Sequence, residues 1–264
     1  MTKALYLNAG GCSTGPLFSL SVKRFTVQDT TFFKHLGKGD KHMLDYARER
    51  ADVAAMMSRL YRCRLTTTSG GNISLRLSPD LFCITPSKLD KANLSADTIA
   101  LVAMDGTNLT PDLPLSIESE MHRQALLNRS DISAVIHAHP CHASAFTALG
   151  PAIDTKLLAE SWYLLEEPAF APYQRMGTAA LAASVASCLK RSNVVLMENH
   201  GVLTVGKTLL EAFDLIEVLE NAAHMTVIVQ TMSLGGSFTS SPLTQQRCEE
   251  LMEMKRPSTT KGKQ

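Results

Sequence analysis

The chain predicts an α/β or α+β layered domain around a mainly antiparallel sheet. Helical apolar spacing alternates with short apolar runs bounded by turn residues. Several of those runs follow one another at hairpin distance. Such a mixture buries its apolar faces by stacking helices on a sheet.

Residues 1–41 read as an N-terminal extension with one strand. Within it, Gly10-Gly11-Cys12-Ser13-Thr14-Gly15 is a loop, because it lacks the Lys-Ser/Thr ending of a phosphate-binding P-loop. Residues 41–62 form a helix with Leu44, Ala47, Ala51, Ala54, Ala55 and Leu60 as its apolar stripe. Residues 66–72 make a turn. Strands follow at 73–77 and 81–85, joined around Ser78-Pro79-Asp80, and another at 99–104, ended by Asp105-Gly106. Ser116 is placed to cap a helix over 117–128. The run 132–136 is a buried strand, and a short helix over 141–149 stops at Gly150. Residues 178–190 are helical. Runs 193–197 and 202–205 form a hairpin, and Thr208 caps a long helix to about residue 232. The domain therefore spans 42–235, with a C-terminal segment at 236–264 whose polar tail after Pro257 is expected to be disordered.

Composition narrows the function. The 264 residues are 45% hydrophobic and 19% charged, which suits one sizeable core. A net charge of +1 makes no electrostatic case for nucleic acid or an anionic membrane. No apolar run approaches the ~20 residues that span a bilayer. Lys3 is followed by no apolar core or cleavage site, so no signal peptide is expected. Six cysteines without a C-x-x-C spacing read as reduced thiols of a cytoplasmic protein.

The chemistry concentrates in Ile136-His137-Ala138-His139-Pro140, Glu118 and Glu198-Asn199-His200-Gly201. Residues i and i+2 of a strand point to one face, so His137 and His139 form a clamp with Cα atoms roughly 6.5–7 Å apart. A bare His-x-His is a weak signal in a chain of eight histidines. His200 strengthens it, because a hairpin turn beside a glycine projects the ring from the sheet end. Three neutral imidazoles leave a Zn²⁺ position open, the pattern of a catalytic site. An ion gripping a carbonyl and a neighbouring hydroxyl stabilises an enediolate, which suits carbon–carbon cleavage or formation. Glu118, at a helix start, serves equally as the proton-transfer base or as an ordinary first-turn acid. Glu120 points about 200° away around the helix. His122 lies on the same face as Glu118 and either supports it or packs. For an anionic substrate group there are three candidate loops. Ser69-Gly70-Gly71-Asn72 offers N–H groups at Gly71 and an amide at Asn72. Ser87 and Lys88 offer a hydroxyl and a cation, and Ser116 a hydroxyl at a helix start.

Taken in order, several motifs resemble those of the class II aldolase and adducin head-domain family. They are Ser69-Gly70-Gly71-Asn72-Ile73-Ser74-Leu75-Arg76, Ile84-Thr85-Pro86-Ser87, Ser116-Ile117-Glu118 with His122, Ala134-Val135-Ile136-His137-Ala138-His139, Ala171-Pro172-Tyr173 and Asn199-His200-Gly201. The resemblance implies a three-layer α/β/α sandwich with a central, mostly antiparallel sheet. It implies Zn²⁺, with Mn²⁺ or Co²⁺ as alternatives, on His137, His139 and His200. It makes Glu118 the catalytic acid/base, and Asn72, Ser87 and Ser116 the substrate-phosphate pocket. A homotetramer with sites near subunit interfaces is the family's usual assembly. The expected activity is an aldolase-type lyase that cleaves a small, fuculose-phosphate-like ketose phosphate to dihydroxyacetone phosphate and an aldehyde. Alternatives within the family are decarboxylation of a β-keto or aromatic hydroxy acid, sugar-phosphate epimerisation, and a non-catalytic adducin-like assembly domain. Lys88 stands where the family usually has glycine, and Ile117 replaces a pocket serine. No tyrosine aligns with the family's proton donor, although Tyr163 lies in that region.

Overall fold

In the computed structural model, which describes residues 46–255, the chain runs α1 (Ala47–Arg62), β1 (Asn72–Ser78), β2 (Leu81–Ile84), β3 (Ala100–Ala103) and α2 (Ser119–Asn128). It continues with β4 (Ala134–Ala138), α3 (Cys141–Phe146), α4 (Ala159–Leu165), β5 (Ala169–Ala171), α5 (Ala179–Cys188), β6 (Val194–Met197), β7 (Gly201–Gly206), α6 (Leu209–Ser233) and α7 (Gln245–Lys255). The expected N-terminal extension with its strand and glycine-rich loop, and the tail after Pro257, lie outside the described residues.

The strands form one sheet in the order β3-β2-β1-β4-β7-β6-β5. All neighbours are antiparallel except β5 and β6. Side-chain alternation along the strands makes two apolar faces. Phe82, Val135, Val195, Leu203 and Val205 pack on Met121, Ala125 and Leu126 of α2 and Leu181 and Val185 of α5. On the other face, Ile73, Leu101, Ala134 and Ile136 meet Val53, Met57 and Leu60 of α1 and Phe213 and Ile216 of α6. Val194, Leu196 and Val202 join α3, α4 and the middle of α6 on that same face. The result is the expected α/β/α sandwich. β4 lies in the middle of the sheet and is buried along its whole length.

Local expectations shift in several places. In α1, Ala47, Ala51 and Ala55 are exposed, whereas Val53, Ala54, Met57 and Leu60 are buried together with Arg50. The helix turns its larger apolar side chains inward because they remove more surface from water than alanine does. Arg50 is tolerated there because its Nε donates to the Ile99 carbonyl at 2.9 Å and its Nη2 to the Asp97 carbonyl at 3.2 Å. Ser116 does not cap α2. Its hydroxyl accepts the Glu118 N–H at 3.3 Å in a local turn, and the helix begins two residues later with Glu118 in the cap position. The strand expected at 132–136 is shifted to Ala134–Ala138.

Helices α4 and α7 and strand β5 were not expected. The first and last of these elements in the chain, α4 and α7, are paired in space: the Trp162 indole donates to the Cys248 carbonyl at 3.2 Å, and Lys255 bridges to Glu166 at 3.0 Å.

Candidate metal centre

The site forms where β4 ends beside the β6–β7 hairpin. His137 is the fourth residue of β4, with no exposed surface. Its Nδ1 donates to the Val202 carbonyl of β7 at 2.8 Å. A carbonyl can only accept, so this bond fixes the tautomer and leaves Nε2 with a free lone pair. His139 follows one residue beyond the strand. Glycines crowd its ring: a Cβ at Gly201 would stand 2.4 Å from His139 Cδ2, and one at Gly70 would stand 2.8 Å from Nδ1. His200 closes the hairpin turn, after Asn199 in the left-handed region at φ 52°.

The three rings meet with centroids 4.7, 4.8 and 5.7 Å apart. One ligand nitrogen from each lies within 4.8 Å of the others. Among the described residues, the buried Nε2 of His137, Nε2 of His139 and Nδ1 of His200 have no hydrogen-bond partner. Burying such groups without partners is costly. Three converging imidazole nitrogens without partners, one of them on a fully buried ring whose lone pair is fixed, are the donor set of a borderline divalent cation, so these residues fit a metal.

Glu118 faces the cage. It is 7% exposed, with Oε1 2.9 Å from His200 Nε2 and Oε2 3.4 Å from His137 Nε2. Asn72, at the start of β1, donates from Nδ2 to Glu118 Oε2 at 2.8 Å and to Ser116 Oγ at 3.1 Å. That orientation makes Asn72 Oδ1 the acceptor, so the short contact with His122 is donated by His122 Nε2. His122 Nδ1 then accepts the Ser74 hydroxyl at 2.7 Å. Donation runs in one direction, from Ser74 through His122 and Asn72 to the Glu118 carboxylate.

Charge states follow from this arrangement. Burial raises the Glu118 carboxyl, but the His137 ring and hydrogen bonds from His200 and Asn72 outweigh it and hold Glu118 well below the usual carboxylate range. Burial lowers His137 despite the pull of Glu118. Burial, then repulsion from His137 and His200, takes His139 down to about 4. Burial first of all takes His122 down to about 3. An ionised carboxylate beside neutral imidazoles is the protonation state a metal requires.

The structure thus brings together His137, His139, His200, Glu118, Asn72 and Ser116. Gly71 supports them from behind: at φ 70°, a Cβ there would meet the His137 carbonyl at 2.7 Å. Ser87 is half-buried, and its N–H is taken by the Pro114 carbonyl at 2.9 Å. Lys88 is exposed and left-handed, at φ 60°. Neither has a hydrogen bond to the cluster among the described residues. Glu120 turns away and binds Arg123 at 2.7 Å. Cys141 is exposed. The ring of Tyr163 lies under Lys255, 5.2 Å from its Nζ. Sequence reasoning passed over Ser74 and the buried Lys91. Ser74 lies two residues from Asn72 on the same strand face, a spacing that could have flagged it.

Comparison with known proteins identifies the family. Residues 51–227 match the family described as Class II Aldolase and Adducin N-terminal domain. The L-fuculose phosphate aldolase of Methanococcus maripaludis is 33% identical over 174 residues, 66% of this chain and 93% of that protein. The 3-oxo-tetronate 4-phosphate decarboxylase of Pectobacterium atrosepticum is 28% identical over 187 residues, 69% of this chain and 85% of that one. The structure of L-fuculose-1-phosphate aldolase from Thermus thermophilus superposes with a TM-score of 0.65 and 27% identity, over 74% of this chain and 100% of its own. With a family match across most of the described fold, and a relative matched over nearly its full length, the chain belongs to the class II aldolase and adducin N-terminal domain family.

Proposed function

We propose that the protein is a divalent-metal-dependent carbon–carbon lyase of aldolase type, which splits a small ketose phosphate into dihydroxyacetone phosphate and an aldehyde. The observation that supports it most is the buried meeting of three imidazoles with a carboxylate that pairs with no Lys or Arg among the described residues. His137, His139 and His200 would hold Zn²⁺, with Mn²⁺ or Co²⁺ as alternatives. A bound ion supplies a Lewis acid for negative charge developing on substrate oxygens.

The chain's own residues do the rest. Val202 and the glycines at 70 and 201 hold the His137 and His139 rings in place. Asn72, oriented by His122, aims Glu118 Oε2. In cleavage, one proton leaves the hydroxyl that becomes the aldehyde, and one is added to the carbon that loses its partner. Glu118, ionised at rest, would take the first as the carbon–carbon bond breaks and return it as the second, so that the net change is one proton moved from oxygen to carbon. Burial of the cage keeps bulk water from competing for that proton. The phosphorylated compounds in the relatives' names support a phosphorylated substrate. A cytoplasmic homotetramer belongs to the same proposal. No helix of the described residues is long and apolar enough to cross a membrane.

Decarboxylation of a phosphorylated 3-oxo acid is the second reading, favoured by the decarboxylase relative and by the lack of an aligned tyrosine donor. The metal-loaded protein, offered ketose 1-phosphates and 3-oxo acid phosphates, should release dihydroxyacetone phosphate from the first. Release of CO₂ from the second alone would replace the aldolase reading. Glu118→Gln should keep its metal and lose about 10²–10⁴-fold in kcat, the usual worth of a positioned general acid/base. Unchanged turnover would remove Glu118 from the chemistry.

A further inference from the structure

Lys91 is the only buried lysine among the described residues, at 2% exposed. Its backbone N–H donates to the Thr68 carbonyl at 3.0 Å, lacing the turn that ends at Lys91 to the glycine-rich loop of residues 66–72. Its side chain curls back, and Nζ donates to the Pro86 carbonyl at 2.5 Å. An ammonium has three N–H donors. Pro86 is the only acceptor that Lys91 Nζ has among the described residues, so two donors are unmatched. One neutral carbonyl compensates a buried charge poorly.

The surroundings explain what is missing. Burial lowers the amine to about 8, against the pull of the Glu118 carboxylate, and the Lys91 charge in turn acts on His122. Lys91 therefore lies within electrostatic reach of the network behind the metal cage. Two of the neutral donors of the candidate phosphate loops are already in use there, while the Ser87 and Ser116 hydroxyls carry no charge to match a phosphate's. Asn72 Nδ2 serves Glu118 and Ser116, and the Ser87 N–H serves Pro114. Lys88, three residues earlier, is exposed, and its charge is weakened by water.

We propose that Lys91 is the cation that binds the substrate's phosphate. A tetrahedral oxyanion entering between residues 66–72 and the Pro86–Lys91 turn supplies the acceptors its ammonium lacks. This residue then selects phosphorylated substrates over their dephosphorylated counterparts. The inference rests on the lyase reading for its substrate, and inorganic phosphate is the probe that tests it apart from that reading.

Titration calorimetry of inorganic phosphate into metal-loaded wild type, Lys91→Met and Lys91→Arg tests it. Methionine matches the length without the charge, a replacement that burial favours. Phosphate should bind the Met variant about 10- to 100-fold more weakly, the worth of charge-assisted hydrogen bonds, and the Arg variant should recover most of it. Metal content and unfolding midpoint should hold. KM for a ketose phosphate should rise by the same factor with kcat little changed, while the dephosphorylated ketose is handled alike by both. Equal phosphate affinity in wild type and Lys91→Met overturns the proposal and leaves Lys91 as a clamp on Pro86. Should the Met variant not fold, Lys91→Gln, which keeps a donor for Pro86, takes its place under the same criterion. Phosphate bound through Lys91 in a protein that cleaves no ketose phosphate would sink the lyase reading and leave this inference standing. Unimpaired cleavage by Lys91→Met would do the reverse.

Discussion

His137 meets His139 and His200 edge-on at the metal centre, whereas His142 and His224 stack flat near the surface. The outer pair has ring centroids 4.2 Å apart at 16°. His142 Nδ1 binds Glu220 Oε1 at 2.8 Å, and the same carboxylate accepts the backbone N–H groups of His142 at 3.0 Å and Ala143 at 2.8 Å. Glu220 thus satisfies the start of α3, and His142 assists it. In the inner set, one nitrogen of His137 is taken by a strand carbonyl and the other is left free and aimed at its neighbours. Residue type and proximity are the same in both clusters. What differs is where the second nitrogen goes and whether water can reach the first. A histidine becomes a metal-ligand candidate when the backbone occupies one nitrogen and burial denies the other any partner.

The largest effect should come from breaking the inner set. His137→Ala with His139→Ala should abolish bound metal by elemental analysis, and turnover with it. His142→Ala with His224→Ala should leave both near wild type. Metal lost from the second variant instead would reverse the assignment of the two clusters.

Gly201→Ala should act more moderately. Its methyl group would press on His139 Cδ2 and on the Ala138 carbonyl, which would stand at 2.8 Å. We expect about 1–3 kcal/mol of destabilisation from overpacking and about 10–100-fold weaker metal binding. Wild-type metal affinity in that variant would show that His139 has room to move.

A smaller contrast is in pH. His122 and His139 have folded values near 3 and 4 against an ordinary 6.5, with burial as the leading cause for both. Between about pH 6.5 and 4 the unfolded chain binds protons that the folded chain refuses. Stability of the metal-free protein should therefore fall as pH falls through that window. Denaturant midpoints at pH 7.5 and 4.5 measure this, and His122→Gln should flatten the slope. An equally steep slope in the variant would clear His122 as a source.

The smallest effect belongs to the outer cluster. Glu220→Ala should cost about 1 kcal/mol, as loss of a helix-start acceptor does, with metal content unchanged. Thermal unfolding beside metal analysis separates the two.

Much of this arrangement was legible in the sequence where spacing and turn chemistry agree. The β6–β7 hairpin, the Thr208 cap and the buried strand carrying His137 all follow from period and flanking residues, and Thr208 does accept the Glu211 N–H at 3.1 Å. Two of the missed elements are too short for periodicity: α4 has seven residues and β5 three. In α7 only Cys248 is buried, so no apolar stripe announces it. The capping expectation at Ser116 failed because a hydroxyl can close a two-residue turn as readily as it caps a helix. At the site, the ligand types were readable. The direction of the Ser74–His122–Asn72–Glu118 relay was not, because it depends on pairings across β1 and α2 that no local pattern encodes.

The pairing of His137 with Leu203 across β4 and β7, and of its Nδ1 with Val202, has a consequence for dynamics. Two candidate ligands come from the β4 end and the third from the turn that leads into β7, so a bound ion staples the central ladder of the sheet. Chelation would then accelerate amide hydrogen exchange first at the open end of that ladder, near Ala138 and Val202. The Ala134–Gly206 end, closed by the Ser133 N–H on the Gly206 carbonyl at 2.9 Å, would keep its protection longest. Metal occupancy would be written into the fraying of one strand pair.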